Sequence, residues 1–334
     1  MNIYQVYNRI LYKIFPHNCV CKHGPLTLTL QTVNRCTIKC KFCIRNSDEI
    51  ADFNKIHKGQ PDMSFETFQA IVDRYRAATS ICLAGYGEPF LNKNLFEFIR
   101  YAREKGIKTS VISNGTILHK IFDNLVSSPP DSLSVSINVL NREEFREVAG
   151  VEDVVYDTVI NNVSILAKNK PKDLSLRVSY VLRHANLKLA PDMIAQAKEL
   201  GVNGIDFHNL IPYTECGNSF AAAVTDCSED IKLLNKYKSV NWGVEVNFPT
   251  PISKVTVLNK CTRYFTQLHV SSGGYIGGCG RAVGPSEEFG HILDQNDPWN
   301  SQKMQKVRNK FLSNTVPFDI CKTCVNVSPY YSGR

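Results

Sequence analysis

The sequence predicts an α/β fold built on parallel strands. From about residue 27 to residue 212, short β-prone segments alternate with amphipathic segments of helical period. Strands that alternate with helices of about 10–15 residues are typical of βα units, which form parallel sheets. Six such units fit into this stretch. Because six are too few for a closed eight-stranded barrel, an open sheet or a partial barrel is expected.

The individual elements follow from composition and period. The strand candidates are rich in Val, Ile, Leu or Ser and are bounded by Gly, Pro or Asn. They are 27–33, 80–84, 107–113, 132–138, 174–182 and 204–210. The helix candidates are 65–77, 92–105, 117–126, 153–169 and 190–200. In the second helix, apolar side chains recur at i, i+3, i+4 and i+7 from Leu95 to Ala102, and Gly106 stands where the helix should end.

The pattern changes after residue 212. Residues 213–260 are predicted to hold a helix near 228–238 and a short strand at 243–247. Residues 261–334 carry four cysteines but too little apolar sequence for a large core, and such small domains often need a metal. The predicted organisation is an extension at 1–26, the main α/β domain at 27–212, a linker region near the substrate site at 213–260 and a small C-terminal domain at 261–334.

Composition and charge exclude several classes of protein. No apolar run among the 334 residues reaches the roughly 18–20 residues that a membrane helix needs. The N-terminus mixes polar and basic residues into its apolar ones, so no secretory signal is expected and the predicted location is cytoplasmic. The net charge is 39 − 31 = +8, but the charge is evenly spread, so a nucleic-acid partner is not expected.

Cysteine is the strongest compositional signal. The chain has 12 cysteines, and cytosolic thiols stay reduced, which makes metal binding the default interpretation. Cys36, Cys40 and Cys43 lie within eight residues, directly after the first predicted strand. Cubane iron–sulfur clusters normally take four thiolates, so three would leave one iron open to a substrate or cofactor. The alternative is a zinc ion completed by a cysteine or histidine of segment 19–23.

A glycine-rich motif ends the second predicted strand. Its sequence is Gly85-Tyr86-Gly87-Glu88-Pro89. Glycines let a backbone approach a ligand closely, and the Glu88 carboxylate or a backbone carbonyl can accept hydrogen bonds from an ammonium group. The motif is a weak turn signal by itself. Its position, 42 residues beyond Cys43 and after a strand, makes it a stronger one.

Together these motifs resemble the radical S-adenosylmethionine (SAM) superfamily. The loop CxxxCxxC, with an aromatic residue before its last cysteine, is similar to the loop that follows the first strand of that family's partial (β/α)6 TIM-like barrel. Gly85–Pro89 resembles its GGEP motif with Tyr86 inserted. The resemblance implies a [4Fe–4S] cluster on Cys36, Cys40 and Cys43, with SAM on the open iron as the source of a 5′-deoxyadenosyl radical. It also implies a flavodoxin- or ferredoxin-type electron donor.

Weaker matches follow the later strands. Ser113-Asn114-Gly115-Thr116 resembles the family's TNG-like turn. Ser136 and Asn138 end the fourth strand, where the family often places polar contacts to SAM. Arg177 and Ser179 lie on the fifth strand, where one of them could reach the ribose or carboxylate of SAM. Each position is equally consistent with an ordinary polar residue of a turn or strand.

A second cysteine set lies near the C-terminus. Cys261, Cys279 and the pair Cys321 and Cys324 could close a four-thiolate site without a vacancy, suited to structural support or electron transfer. The segment resembles the SPASM/twitch extension of radical SAM enzymes in its shorter twitch form, and its spacing is similar to that of the twitch-type aminocyclitol dehydrogenases. That resemblance implies one auxiliary [4Fe–4S] cluster. The alternative is a structural zinc site.

The predicted reaction is hydrogen-atom abstraction from a C–H bond of a sugar, aminocyclitol or similar metabolite, followed by dehydrogenation or epimerisation. Epimerisation needs a thiol that returns a hydrogen atom. Cys216 is the first candidate and Cys227 the weaker one, while Glu215 could accept a proton. The alternatives are the same chemistry on a ribosomally synthesised peptide, RNA modification, and a non-enzymatic iron–sulfur or zinc redox regulator.

Overall fold

The computed structural model describes residues 1–46, 61–210, 222–252, 261–277, 279–280, 289–294, 296–322 and Cys324. Parallel strands alternate with helices along most of this chain, so the predicted α/β class is confirmed. The chain divides into two compact units. The first unit comprises the described parts of 1–36, 52–112 and 260–318, and the second those of 37–51, 113–259 and 319–334.

The first unit is organised around the parallel strands β1, β2, β3 and β8, with β9 antiparallel to β8. Its strands are β1 (Thr27–Leu30), β2 (Ser80–Leu83), β3 (Lys108–Ser113, whose last residue falls in the second unit), β8 (Gln267–Val270) and β9 (Ile276–Gly277). Its helices are α1 (Ile3–Ile14), α2 (Phe65–Arg74), α3 (Leu95–Glu104), α9 (Arg263–Thr266) and α10 (Gln302–Leu312). Phe68 of α2 and Phe98 of α3 stack with ring centroids 4.4 Å apart and form part of the buried core.

The second unit repeats the βα pattern. Its strands run parallel in the order β4, β5, β6, β7. They are β4 (Ser132–Ser136), β5 (Ser175–Leu182), β6 (Gly204–Asn209) and β7 (Glu245–Asn247). Its helices are α4 (Phe122–Ser127), α5 (Arg142–Ala149), α6 (Asp153–Asn169), α7 (Ala190–Glu199) and α8 (Ser228–Lys238). Strand β5 is almost fully buried, including its polar residues Arg177 and Ser179.

Three of the elements that the sequence did not predict, α1, α5 and β8, have a physical explanation. Helix α1 was not predicted because its buried face is polar and its exposed face is apolar, the reverse of a typical surface helix. It buries Gln5 and Asn8 and exposes Ile3, Tyr7 and further apolar residues. The Gln5 side-chain amide donates to the carbonyl oxygens of Ala78 and Gly106, at 2.9 and 3.0 Å. Helix α5 was overlooked because only two of its eight residues are buried.

Strand β8 is the third of these elements. It falls within the segment predicted as a C-terminal domain, yet it pairs in parallel with β1. That segment therefore contributes a strand to the sheet of the first unit. Within the described ranges, no helix combines the length and the apolar content that crossing a bilayer requires.

Candidate functional site

Two of the three cysteines in the first motif lie in a tight loop of the second unit. The Cys43 backbone N–H donates to the Cys40 carbonyl oxygen at 3.1 Å, and the Asn46 side-chain amide donates to the same oxygen at 3.0 Å. Upstream, the Lys39 backbone N–H donates to the carbonyl oxygen of Ala149, the last residue of α5. Hydrogen bonds to the backbone of Lys39, Cys40 and Cys43 thus anchor the loop.

The aromatic residue of the motif is an anchor of the same loop. Phe42 packs against a small apolar cluster formed by Leu210, Ala223 and Ile252. Leu210 directly follows β6, so the loop is attached at the carboxyl end of that strand. Ligands of open α/β sheets bind at this end of the strands.

The Ser113–Thr116 turn holds the residue that follows Cys36. The Asn114 amide donates to the Thr37 hydroxyl at 2.9 Å. The Thr116 hydroxyl donates to the Asn114 side-chain oxygen at 2.7 Å, so the 2.7 Å contact between the Thr37 and Thr116 hydroxyls must be donated by Thr37. The three side chains close a ring of hydrogen bonds.

The glycine of this turn is required by geometry. Gly115 has φ = +76°, and a Cβ placed there would lie 2.6 Å from the Val135 side chain. Its carbonyl oxygen accepts a hydrogen bond of 2.9 Å from the Asn162 side chain. The turn is therefore fixed from two sides, by the backbone conformation and by α6.

In the first unit, the Gly85–Pro89 loop packs against the chain that leads to Cys36. A Cβ placed on Gly87 would lie 2.5 Å from the Arg35 carbonyl oxygen and 2.6 Å from that of Val33. The Glu88 backbone N–H donates to the Arg35 carbonyl oxygen at 2.8 Å. Only glycine fits at position 87, because two backbone segments lie too close together for a Cβ atom.

Two side chains of this loop have distinct partners. The Glu88 carboxylate is 1% exposed and accepts a hydrogen bond from the Phe90 N–H at 3.3 Å, which caps the short 3-10 helix Pro89–Leu91. Tyr86 donates its hydroxyl to the Gly280 carbonyl oxygen at 2.8 Å. Since Gly280 follows Cys279, the inserted tyrosine connects the glycine-rich motif to one of the predicted auxiliary ligands.

The polar residues on β4 and β5 form a small cluster in the second unit. The hydroxyls of Ser136 and Ser179 lie 3.2 Å apart. The Asn138 N–H donates to the Ser179 carbonyl oxygen at 3.2 Å, and Asn138 has φ = +68°, an uncommon conformation for a residue other than glycine. These three residues lie together at the carboxyl end of β4.

Arg177, the other candidate on β5, is buried and forms ion pairs with carboxylates of the neighbouring strands. Its guanidinium binds both carboxylate oxygens of Asp206, at 2.7 and 2.8 Å, and also contacts Glu245 at 2.9 Å. Burial by itself would raise the pKa of Asp206, but hydrogen bonds from Arg177 and Asn247 outweigh it and lower that pKa. Of the two candidates on β5, the geometry therefore favours Ser179 as a ligand contact.

The second cysteine set is distributed over both units. Cys261 is buried and precedes α9, and Cys279 follows β9. Cys321 and Cys324 form a turn in which the Cys324 N–H donates to the Cys321 carbonyl oxygen at 3.3 Å. None of the cysteines in the described part of the chain forms a disulfide, and ligation by the thiolates of Cys36, Cys40 and Cys43 requires this.

The candidates for hydrogen and proton transfer are only partly described. Cys216 and Glu215 lie outside the described residues. Cys227 lies near His184 and Asp230, and their potential ligand atoms are all within 4.8 Å of one another. The sequence analysis missed Thr37 and Asn162, although both had a signal: Thr37 stands inside the cysteine motif, and Asn162 is a polar residue among apolar ones in α6.

These features define a class: an α/β protein in which two strand-end turns secure the chain on either side of the first cysteine of a three-cysteine loop. Comparison with known families agrees with it. The chain belongs to the Radical SAM superfamily, whose model matches residues 30–197. This membership confirms the prediction of an enzyme and implies a [4Fe–4S] cluster and SAM as cofactors.

Individual relatives are distant. The chain is 22% identical over 268 residues to a probable GTP 3′,8-cyclase of Methanocaldococcus jannaschii, covering 76% of this chain and 84% of that protein. It is 23% identical over 327 residues to the tungsten-containing aldehyde ferredoxin oxidoreductase cofactor-modifying protein of Pyrococcus furiosus, covering 89% and 86%. Among solved structures, Streptococcus suis SuiB bound to the precursor peptide SuiA has a TM-score of 0.63 at 16% identity, over 98% of this chain and 78% of SuiB. That likeness shows the fold.

Proposed function

We propose that this enzyme abstracts a hydrogen atom from a C–H bond of a sugar, an aminocyclitol or a similar metabolite and completes a dehydrogenation or an epimerisation. The observation that carries the proposal is the fixing of the chain around Cys36: Gly87 and Glu88 hold Arg35, and Asn114 holds Thr37. When bound, the [4Fe–4S] cluster and SAM supply the 5′-deoxyadenosyl radical that removes the hydrogen atom.

The roles of the chain's own residues follow from their surroundings. Cys36, Cys40 and Cys43 would hold the cluster as thiolates. The Gly85–Pro89 backbone would accept hydrogen bonds from the SAM ammonium group, since the Glu88 carboxylate already caps a helix. Ser136, Asn138 and Ser179 would provide polar contacts to the rest of SAM. Ser113 and Asn114 would act by positioning, because their side chains bond within the turn and to Thr37.

The C-terminal cysteines would serve the second half of the reaction. Cys261, Cys279, Cys321 and Cys324 would hold one auxiliary [4Fe–4S] cluster of the twitch type, able to accept an electron in a dehydrogenation. In an epimerisation, Cys216 would return the hydrogen atom. The electron donor would be a flavodoxin- or ferredoxin-type protein.

The test of radical chemistry is direct. Anaerobically reconstituted protein should bind about eight irons per chain, four for each of two cubanes. With dithionite and SAM it should release 5′-deoxyadenosine, and a triple Cys36→Ala, Cys40→Ala, Cys43→Ala variant should not. Protein that holds zinc without iron, or iron without SAM cleavage, would contradict the proposal.

The substrate class needs a second experiment. The name of the M. jannaschii relative favours GTP as another candidate, with ring closure as the reaction. A peptide is the third candidate substrate, because the structure of SuiB was solved with its precursor peptide bound. Candidate compounds are incubated in D₂O and analysed by mass spectrometry. Dehydrogenation removes two hydrogens from the substrate, epimerisation through a thiol replaces one hydrogen with deuterium, and cyclisation gives a ring-closed nucleotide from GTP.

A further inference from the structure

Three side chains with metal-binding atoms, none of which belongs to either predicted cluster set, converge in the second unit. They are His184, Cys227 and Asp230, and one ligand atom from each lies within 4.8 Å of the other two. The His184 Nδ1 and an Asp230 carboxylate oxygen are 2.6 Å apart. Imidazole, thiolate and carboxylate are the three ligand types found around protein-bound zinc.

The fold brings these residues together from two separate elements. His184 begins the 3-10 helix His184–Leu189, just after β5. Cys227 is the residue before α8, and its side chain makes no capping hydrogen bond there. Asp230 lies in the first turn of α8. The two elements are also joined by an ion pair of 3.3 Å between Lys188 and Glu229.

The chain before Cys227 is held rigidly. Ala223 forms an antiparallel bridge with Arg183, the residue before His184. Asn209 donates to the Val224 carbonyl oxygen at 2.7 Å and accepts from the Val224 N–H at 2.9 Å. Preformed positions of this kind reduce the ordering cost of binding a metal ion.

The carboxylate is oriented as a ligand would be. Asp230 is 1% exposed, and its second oxygen accepts a hydrogen bond of 2.9 Å from the Thr225 N–H. Such hydrogen bonds fix the direction of metal-binding carboxylates. By contrast, the His184 side chain is 51% exposed, so an ion there can be reached from solvent and can keep a water ligand.

We propose that His184, Cys227 and Asp230 bind one zinc ion, with water as the fourth ligand. On binding, the Cys227 thiol releases its proton to solvent, and the His184 nitrogen that binds zinc carries no proton. At Zn–ligand distances of about 2.0–2.3 Å, tetrahedral ligand atoms lie about 3.3–3.8 Å apart. Zinc would replace the 2.6 Å hydrogen bond between His184 and Asp230, so these two ligand atoms would move at least about 0.7 Å apart to reach this range.

The site would stabilise the predicted active-site loop. Zinc would tie α8 to the segment that ends β5, next to Ala223, against which Phe42 of the three-cysteine motif packs. A zinc-bound Cys227 could not serve as a hydrogen-atom donor. Cys216 would then be the remaining candidate for that role.

The experiment counts and characterises zinc on the full holoenzyme. Reconstituted protein is dialysed against zinc, and zinc and iron per chain are measured by mass spectrometry. The wild-type protein should retain about one zinc, with about one sulfur and three nitrogen or oxygen neighbours in X-ray absorption. Cys227→Ala and His184→Gln should each weaken zinc binding at least about tenfold without loss of iron, whereas Cys227→His should keep zinc but lose the sulfur neighbour.

Cys82→Ala is the matched control, because it removes a thiol outside the three sets and should retain zinc. The assignment is overturned if wild-type protein binds no zinc, or if Cys227→Ala and His184→Gln bind it as tightly as wild type. A shell of four sulfurs around zinc would equally overturn it, because zinc would then occupy an iron site. Iron content and SAM cleavage report the proposed function separately, so either idea can fail alone.

Discussion

The two turns next to Cys36 hold the chain in different ways. The Gly85–Pro89 loop holds the residues that precede Cys36 through close backbone packing, because Gly87 lies against two of their carbonyl oxygens. The Ser113–Thr116 turn secures Thr37 through a ring of side-chain hydrogen bonds. One attachment depends on the absence of a side chain, and the other depends on particular polar atoms.

This difference determines which substitutions each turn tolerates. At the Gly87 contact, the volume of a new side chain matters more than its polarity. There is no room for a methyl group between two packed backbone segments. A ring of hydrogen bonds, in which Asn114 and Thr116 are buried and Thr37 is exposed, tolerates changes of shape better than the loss of one donor, since that loss leaves an acceptor without its partner. Substitutions that separate volume from hydrogen-bonding capacity therefore test the comparison.

The largest effect is expected for Gly87→Ala. Its Cβ would lie 2.5 and 2.6 Å from two backbone oxygens, so the loop and the chain leading to Cys36 must move apart. We expect 5′-deoxyadenosine formation to fall at least about 100-fold, because misplacement by an ångström can cost that much in rate. The assay is single-turnover SAM cleavage on reconstituted protein.

Gly106→Ala is the matched control for that substitution. Gly106 has φ = +70° but no atom within 4 Å of its Cβ position. It should lose about 1–2 kcal/mol of stability from backbone strain and keep SAM cleavage. Equal losses of activity in the two variants would show that general destabilisation, rather than local packing, explains the Gly87 result.

An intermediate effect is expected for Asn114→Asp. The carboxylate can still accept from Thr116 but can no longer donate to Thr37, so one bond of the ring is lost at constant shape. Because Thr37 is exposed, the bond contributes about 0.5–1.5 kcal/mol, which corresponds to a loss of SAM cleavage of up to roughly tenfold. Thr37→Ser keeps the hydroxyl and should be close to wild type.

A double-mutant cycle isolates the interaction itself. Asn114→Asp and Thr37→Val each break the same hydrogen bond, so their combined effect should be smaller than the sum of the two. Additive effects would mean that the two residues act independently. The ring would then have no part in positioning the cysteine loop.

Much of the fold was predictable because local pattern and tertiary packing agree in it. Strand β2 and helix α6 occur where period and composition placed them. Helix α1 could not be predicted, because its buried side is polar and its partners are backbone carbonyls distant in sequence. Strand β8 could not be predicted for a similar reason. Its pairing with β1, more than 230 residues earlier in the chain, leaves no local signal in the sequence.

The candidate site divides in the same way. The cysteine motif and Gly85–Pro89 were recognisable because their chemistry is confined to a few adjacent residues. The ion pair of Arg177 with Asp206 and Glu245 was not, since it depends on the register of β5, β6 and β7. The grouping of His184 with Cys227 likewise joins residues 43 positions apart, which only the packing of α8 against the end of β5 brings together.

The smallest effect is expected for Tyr86→Phe, which sharpens the comparison within the first turn. Tyr86 donates a side-chain hydrogen bond to the Gly280 carbonyl oxygen, whereas Gly87 and the Glu88 N–H contact the chain before Cys36 through the backbone. Because this bond is exposed, its loss should cost no more than about 1 kcal/mol, and SAM cleavage should stay within about fivefold of wild type. If the auxiliary cysteines take part in turnover, product formation should fall more than SAM cleavage, because Gly280 follows Cys279. Equal rates of both in the variant would show that the tyrosine is a surface contact without influence on the auxiliary site.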